Sequence, residues 1–155
     1  MFSLAVSHQT LAATYRQQKD GFFEFDMPDG WYVWELASSI SVSNPQGDES
    51  IGILWSRPGV SQPHHGPVIR SFNPEEVTVL QEVDIKVDGR PARRVDYQVP
   101  ADNKSEKWTS ISASDSGYDF QISFAWPEKD ESGEKLRRLE QIIGSLKFLH
   151  RRGSN

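Results

Sequence analysis

The chain has 155 residues, a formal charge of −5, five tryptophans and no cysteine. That length fits one domain with a real hydrophobic core. The acidic balance argues against a general nucleic-acid binder, and the missing cysteine excludes disulfides, thiol catalysis and cysteine-based zinc sites. No run approaches the roughly eighteen apolar residues of a membrane helix. Met1 to Asp20 lacks the basic start and apolar middle of a signal peptide, so the chain as written reads as cytoplasmic. A start trimmed from a longer precursor would instead allow the periplasm or cell envelope.

Residues 1–20 read as an N-terminal arm, or as a short helix capped by Thr10 with Leu11, Ala12 and Tyr15 on one side. Residues 21–149 read as a single domain, and 150–155 as a tail. Phe23, Phe25 and Met27 alternate as a strand, and Pro28-Asp29-Gly30 turns it. Trp34 is expected to cap one end of the core, with Trp31 beside it. Ser38 to Ser43 is a second strand with Ile40 and Val42 inward. Asn44-Pro45-Gln46-Gly47 turns into a third, carrying Ile51, Ile53 and Trp55. Gly52 and Leu54 fall on its opposite side, which is then also partly covered. These three strands are expected to form an antiparallel meander.

Arg57 to Arg70 is a loop rich in proline and glycine, longer than an ordinary connection. Asn73 and Pro74 open one or two helical turns, kept short by the β-branched Val77, Thr78 and Val79. Val83, Ile85 and Val87 alternate into Asp88-Gly89, a strong hairpin signal. Val95, Tyr97 and Val99 return, and Pro100 to Glu106 is a polar loop.

Lys107 to Phe148 organises the rest. Trp108 to Ala113 is a strand, Ser114 to Gly117 a turn, and Tyr118, Phe120, Ile122, Phe124 and Trp126 form one apolar strand face. After Pro127, Asp130 or Ser132 caps a helix whose stripe is Leu136, Leu139, Ile142 and Ile143. Gly144 suits the left-handed position after it, and Leu146 and Phe148 alternate as a last short strand.

Three segments resemble the PsbP-like and DcrB-like domains. Phe25 to Trp31 is similar to their opening F-x-x-P-x-G-W. Val87-Asp88-Gly89-Arg90-Pro91-Ala92, followed by Val95-Asp96-Tyr97, is similar to their middle hairpin. Gly117-Tyr118, leading through Phe124 and Pro127 to Ile142–Phe148, is similar to their ending. The resemblance covers Gly21 to Phe148 and implies an α+β fold: a mainly antiparallel twisted sheet flanked by helices, an α/β/α sandwich. It implies no catalysis and no cofactor. Members include photosystem II extrinsic subunits, envelope lipoproteins, a Ran-binding import factor and chaperones for type VI secretion effectors, so the fold alone does not assign a function. The short, β-branched segment after Pro74 departs from the family's long crossover helix, and the missing lipoprotein cysteine argues against an envelope lipoprotein unless the start was trimmed.

Among chemical groups, His64-His65 stand out, but adjacent histidines diverge on an extended chain and a metal site needs three or four convergent ligands. No G-x-S-x-G elbow supports a catalytic triad, and no Gly-Lys-Ser/Thr phosphate loop is present. Trp55 and Trp108 sit near strand ends. If the Pro-rich loop leaves them partly open, they make an apolar anchor rimmed by Arg57, His64 and His65. The reading is therefore a non-catalytic binding or assembly domain whose partner is another protein, without nucleic acid or membrane span, and able to pair with itself. An apolar-helix chaperone would need an exposed apolar sheet face. A hydrolase or metal enzyme would need a pocket converging on His64 or His65 with a carboxylate.

Overall fold

The computed structural model describes residues 11–18, 20–57, 77–101 and 104–149. Its strands are β1 (Leu11–Arg16), β2 (Phe23–Pro28), β3 (Tyr32–Glu35), β4 (Ser39–Ser43), β5 (Ser50–Ser56), β6 (Thr78–Val87), β7 (Arg90–Ala101), β8 (Lys104–Asp115), β9 (Tyr118–Ala125) and β10 (Lys147–Phe148), with one helix, α1 (Glu134–Gly144). β3 to β9 build a seven-stranded antiparallel sheet in the order β3-β4-β5-β9-β8-β7-β6, and β1, β2 and β10 a second, three-stranded one.

Period two sorts the large sheet into two faces. Ile40, Val42, Ile51, Ile53, Trp55, Ile111, Phe120, Ile122 and Phe124 share one face and are all buried. The helix stripe Leu139, Ile142 and Ile143 and the small sheet's Phe23, Phe25 and Phe148 cover that face together. Phe23 meets Trp55 and Phe120 edge-on, with ring centroids 5.7 and 6.0 Å apart, a favourable aromatic geometry. Helix and small sheet thus form one layer on the large sheet. The expected sandwich is corrected in this respect: among the described residues only one flank carries a helix.

Asp130 caps α1 from a distance, its carboxylate accepting from the backbone of Lys135 and Leu136 at 3.0 Å each. Residue Gly133, not Asp130 or Ser132, holds the cap position, with φ 73°. Gly144 is the helix's last residue, and its successor Ser145 is right-handed, so the expected left-handed ending is absent. The Asp88-Gly89 hairpin is present as expected, with φ 49° and 74°. Asp88 also accepts from the backbone of Phe148 at 2.9 Å, which ties the hairpin to β10.

Four local readings are corrected. Leu11 to Arg16 form a strand, not a helix or arm, because alternate Leu11, Ala13 and Tyr15 turn inward while the backbone pairs with β2. β2 leaves the expected meander for the small sheet, and β3, which periodicity hid, takes its place. Trp31 is buried, but Trp34 is 65% exposed, so it caps no core. β7 and β8 run on to Ala101 and from Lys104, paired with each other, so the described residues of the expected polar loop are strand. β6 begins at Thr78, where β-branched residues favour a strand, while the expected helix start at Asn73 lies outside the described residues.

Candidate surface on the open sheet face

The second face of the large sheet carries different chemistry. The cross-strand row Ser41, Gly52, Ser123 and Ser110 belongs to it, as do Ser39, Leu54, Gln121, Ser112 and Arg93 one step along. Leu54, Gln121, Ser112 and Arg93 of the second row border a groove of about 690 Å³. Leu54 and Pro91 are its apolar members on this face, and Ser56, Asp84, Arg93, Ser112, Ser114, Asp119 and Gln121 its polar ones. Several of these groups already satisfy one another. Ser114 donates to Asp119 at 2.7 Å and Gln121 to Ser110 at 3.0 Å, while Arg93 pairs with Glu82 and, at 3.4 Å, with Asp84. The result is a pre-organised surface of mixed character, in which Leu54 and Pro91 lie among hydrogen-bonded polar groups.

Every exposed large hydrophobic among the described residues lies on or beside an edge strand: Tyr32, Trp34 and Leu36 at β3, and Val79, Leu80 and Val83 on β6. Between them, toward the far end of β7, Tyr97 and Val99 point to the same face yet are buried. Burial pushes the Tyr97 phenol up to about 12, because the anion would lose its hydration there.

The anticipated anchor does not assemble among the described residues. Trp55 is 5% exposed on the covered face, against Phe22 and Phe23. Trp108 stands on the opposite face, two strands away, and its indole N–H donates to Glu106 at 3.1 Å. Arg57 donates to the Tyr118 hydroxyl at 3.2 Å and lies over that ring. His64 and His65 lie outside the described residues. No group of three or more metal-ligating side chains occurs among the described residues, which include no histidine.

On the covered face, a smaller cavity of about 150 Å³ lies between α1 and the β6–β8 strands, lined by Ile85, Ile111, Phe124 and Ile143. Arg94 and Glu140 border it, paired at 3.0 Å. Behind them, buried Asp96 accepts from Arg94 at 3.0 Å and from Thr109 at 2.6 Å, and the Trp126 indole donates to Thr109 at 2.8 Å. Every buried side-chain polar atom among the described residues has a partner. This network is the signature of a locked interior and holds no paired nucleophile and base.

The resemblance motifs serve packing as well. Arg90 pairs with buried Asp115 and stacks over Phe148 at 5.1 Å. Ser145 accepts from the backbone of Asp26 at 2.8 Å and donates to Ile142 at 2.6 Å. The middle hairpin, the closing segment and the opening segment therefore meet where the second layer is fastened to the large sheet.

No protein-family model matches the sequence, and no curated protein sequence matches it. Solved structures do. The chain is similar to the solution structure of cyanobacterial PsbP (CyanoP) from Synechocystis sp. PCC 6803, with TM-score 0.62 and 13% identity over 88% of this chain and 92% of that one. It is also similar to a crystal structure from Bacteroides thetaiotaomicron VPI-5482, with TM-score 0.59 and 12% identity, covering 94% of this chain and 51% of that one. The protein has a PsbP-like fold, built mainly from antiparallel sheet. Among the described residues no helix is long and apolar enough to cross a membrane.

Proposed function

We propose that the protein is a non-catalytic binding or assembly domain of the PsbP/DcrB-like type, and that another protein docks on the open face of its large sheet. The observation that carries this reading is the 690 Å³ groove across β5, β9, β8 and β7. Within it Arg93 pairs with Asp84 and Asp119 accepts from Ser114, and Leu54 and Pro91 supply an apolar part beside these polar groups, as at the core and rim of a protein interface. The CyanoP likeness supports the scaffold and carries no partner with it. A chaperone for apolar helices fits this face less well, since Ser56, Asp84, Arg93, Ser112, Ser114, Asp119 and Gln121 line it beside Leu54 and Pro91.

Affinity capture with two immobilised forms, wild type and the groove variant Leu54→Glu with Gln121→Lys, tests the proposal. A stoichiometric protein held by the wild type and lost from the variant supports it. A partner retained equally by both forms places the binding surface elsewhere, and no retained partner counts against a binding domain.

A further inference from the structure

The two edges of the large sheet are finished differently. Edge strands expose a backbone ready to pair with another chain, and proteins blunt them with charges, proline or bulges. β6 has such devices: a register shift between Val79 and Gln81, and Glu82, Asp84 and Lys86 along its length. β3 has neither bulge nor lysine nor proline. Its register with β4 runs unbroken from Tyr32↔Ser43 to Glu35↔Ile40, and among the described residues no strand pairs with its other side. Tyr32, Trp34 and, just beyond it, Leu36 alternate along this edge at 49%, 65% and 58% exposure.

That ridge is complementary to itself. In an antiparallel pair of β3 strands centred on Trp34, the two Trp34 side chains lie opposite each other. Tyr32 of each copy faces Leu36 of the other, and Val33 faces Glu35. No like charges meet, and directly opposed aromatic pairs are among the favourable cross-strand contacts. Glu35 is already engaged within its own copy, by the Tyr15 hydroxyl and the backbone of Gln18. Centring on Val33 instead would call on Trp31, which is buried. The pattern therefore selects one register.

We propose that β3 is a self-association edge, at which a second copy of this chain adds to the large sheet in the Trp34-centred register. The two-fold axis then runs perpendicular to the sheet, so both open faces lie on the same side and their two grooves become parts of one surface. A strand pair this short buries less than a standard interface, so the association is weak and concentration-dependent. The inference goes beyond the docking reading and does not depend on what occupies the groove.

Sedimentation equilibrium from about 5 μM to about 1 mM tests it, across the span in which small interfaces associate. The wild type is expected to pass from the monomer mass of 17.6 kDa toward twice that value. Trp34→Lys, and separately Leu36→Glu, should each weaken dimerisation at least about 30-fold, as central interface residues do. Val79→Lys on the opposite edge should leave it unchanged. Circular dichroism identical to wild type would show that each variant still folds. A chain that stays monomeric throughout, or a dimer indifferent to both β3 variants, overturns the proposal. A monomer that still loses its partner through the Leu54 and Gln121 changes would sink the dimer alone and leave the docking reading standing.

Discussion

The same strands give the large sheet two faces with opposite duties. On β9, Phe120, Ile122 and Phe124 are buried beneath the helix and small sheet, while their neighbours Asp119, Gln121 and Ser123 face the other way. β5 repeats the division, with Ile51, Ile53 and Trp55 inward and Gly52, Leu54 and Ser56 outward. One face supplies stability through apolar burial. The other carries fewer buried apolar side chains, and it is the face on which we propose that a partner docks. A substitution's effect should therefore depend on residue parity more than on residue type.

The largest expected effect is on the covered face. Trp55→Ala removes a fully enclosed indole from between Phe22, Phe23 and Phe120 and should cost about 3–5 kcal/mol. Equilibrium urea unfolding measures it, and a loss under about 1 kcal/mol would mean that this face is not the core. Next comes Glu49→Ala. Arg138 on α1 reaches Glu49 at 2.6 Å with both side chains largely buried, and its other carboxylate, Glu134, is 3.9 Å away. Removing Glu49 strands that guanidinium, so a loss of about 3 kcal/mol is expected in the same assay, near the lower end for a broken buried pair.

Tyr97 sharpens the comparison because it lies on the open face and yet is buried, like Val99 beside it. Its phenol is neutral when folded and raised to about 12, against about 10 in an unfolded chain. The sign follows directly. A raised pKa contributes stability that is intact below about pH 10 and lost as pH climbs toward 12, because only the unfolded state gives up the proton readily. Melting temperature should fall steadily over that window, and Tyr97→Phe should flatten the fall without abolishing it, since burial also raises the Tyr15 phenol. An unchanged slope would show that Tyr97 is hydrated.

Much of this division was legible in the residues. Alternation identified the inward faces of β4, β5 and β9 and the helix stripe, because burial rewards period two in strands and 3.6 in helices, whereas the alternating Val95, Tyr97 and Val99 of β7 lie on the open face. β3 was not legible, because its large residues point outward. Tyr32, Trp34 and Leu36 alternate like a buried face, and hydrophobicity alone assigns them to the core while Val33 is the residue that turns inward. β1 was ambiguous for another reason: Leu11, Ala12 and Tyr15 fit a helical spacing as well as a strand, and only pairing with β2 decides between them. The groove had no local signature at all. Its serines and Gln121 are ordinary solvent-facing positions until β5 pairs with β9, and sequence spacing does not reveal that adjacency. The same long-range register put Trp55 and Trp108 on opposite faces, which dissolved the anchor expected of them.

The smallest expected effect is the most discriminating, because it uses the same residue type as the largest. Trp34→Ala deletes an indole as large as that of Trp55, but one that is 65% exposed on the open face. Measured at low micromolar protein, where self-association contributes nothing to apparent stability, it should shift unfolding by no more than about 0.5 kcal/mol. Raising the protein concentration should then separate wild type from variant, since mass action stabilises only the form that can pair. A large loss at low concentration would mean that Trp34 is packed within its own chain, and the ridge at β3 would then belong to the fold and not to an interface.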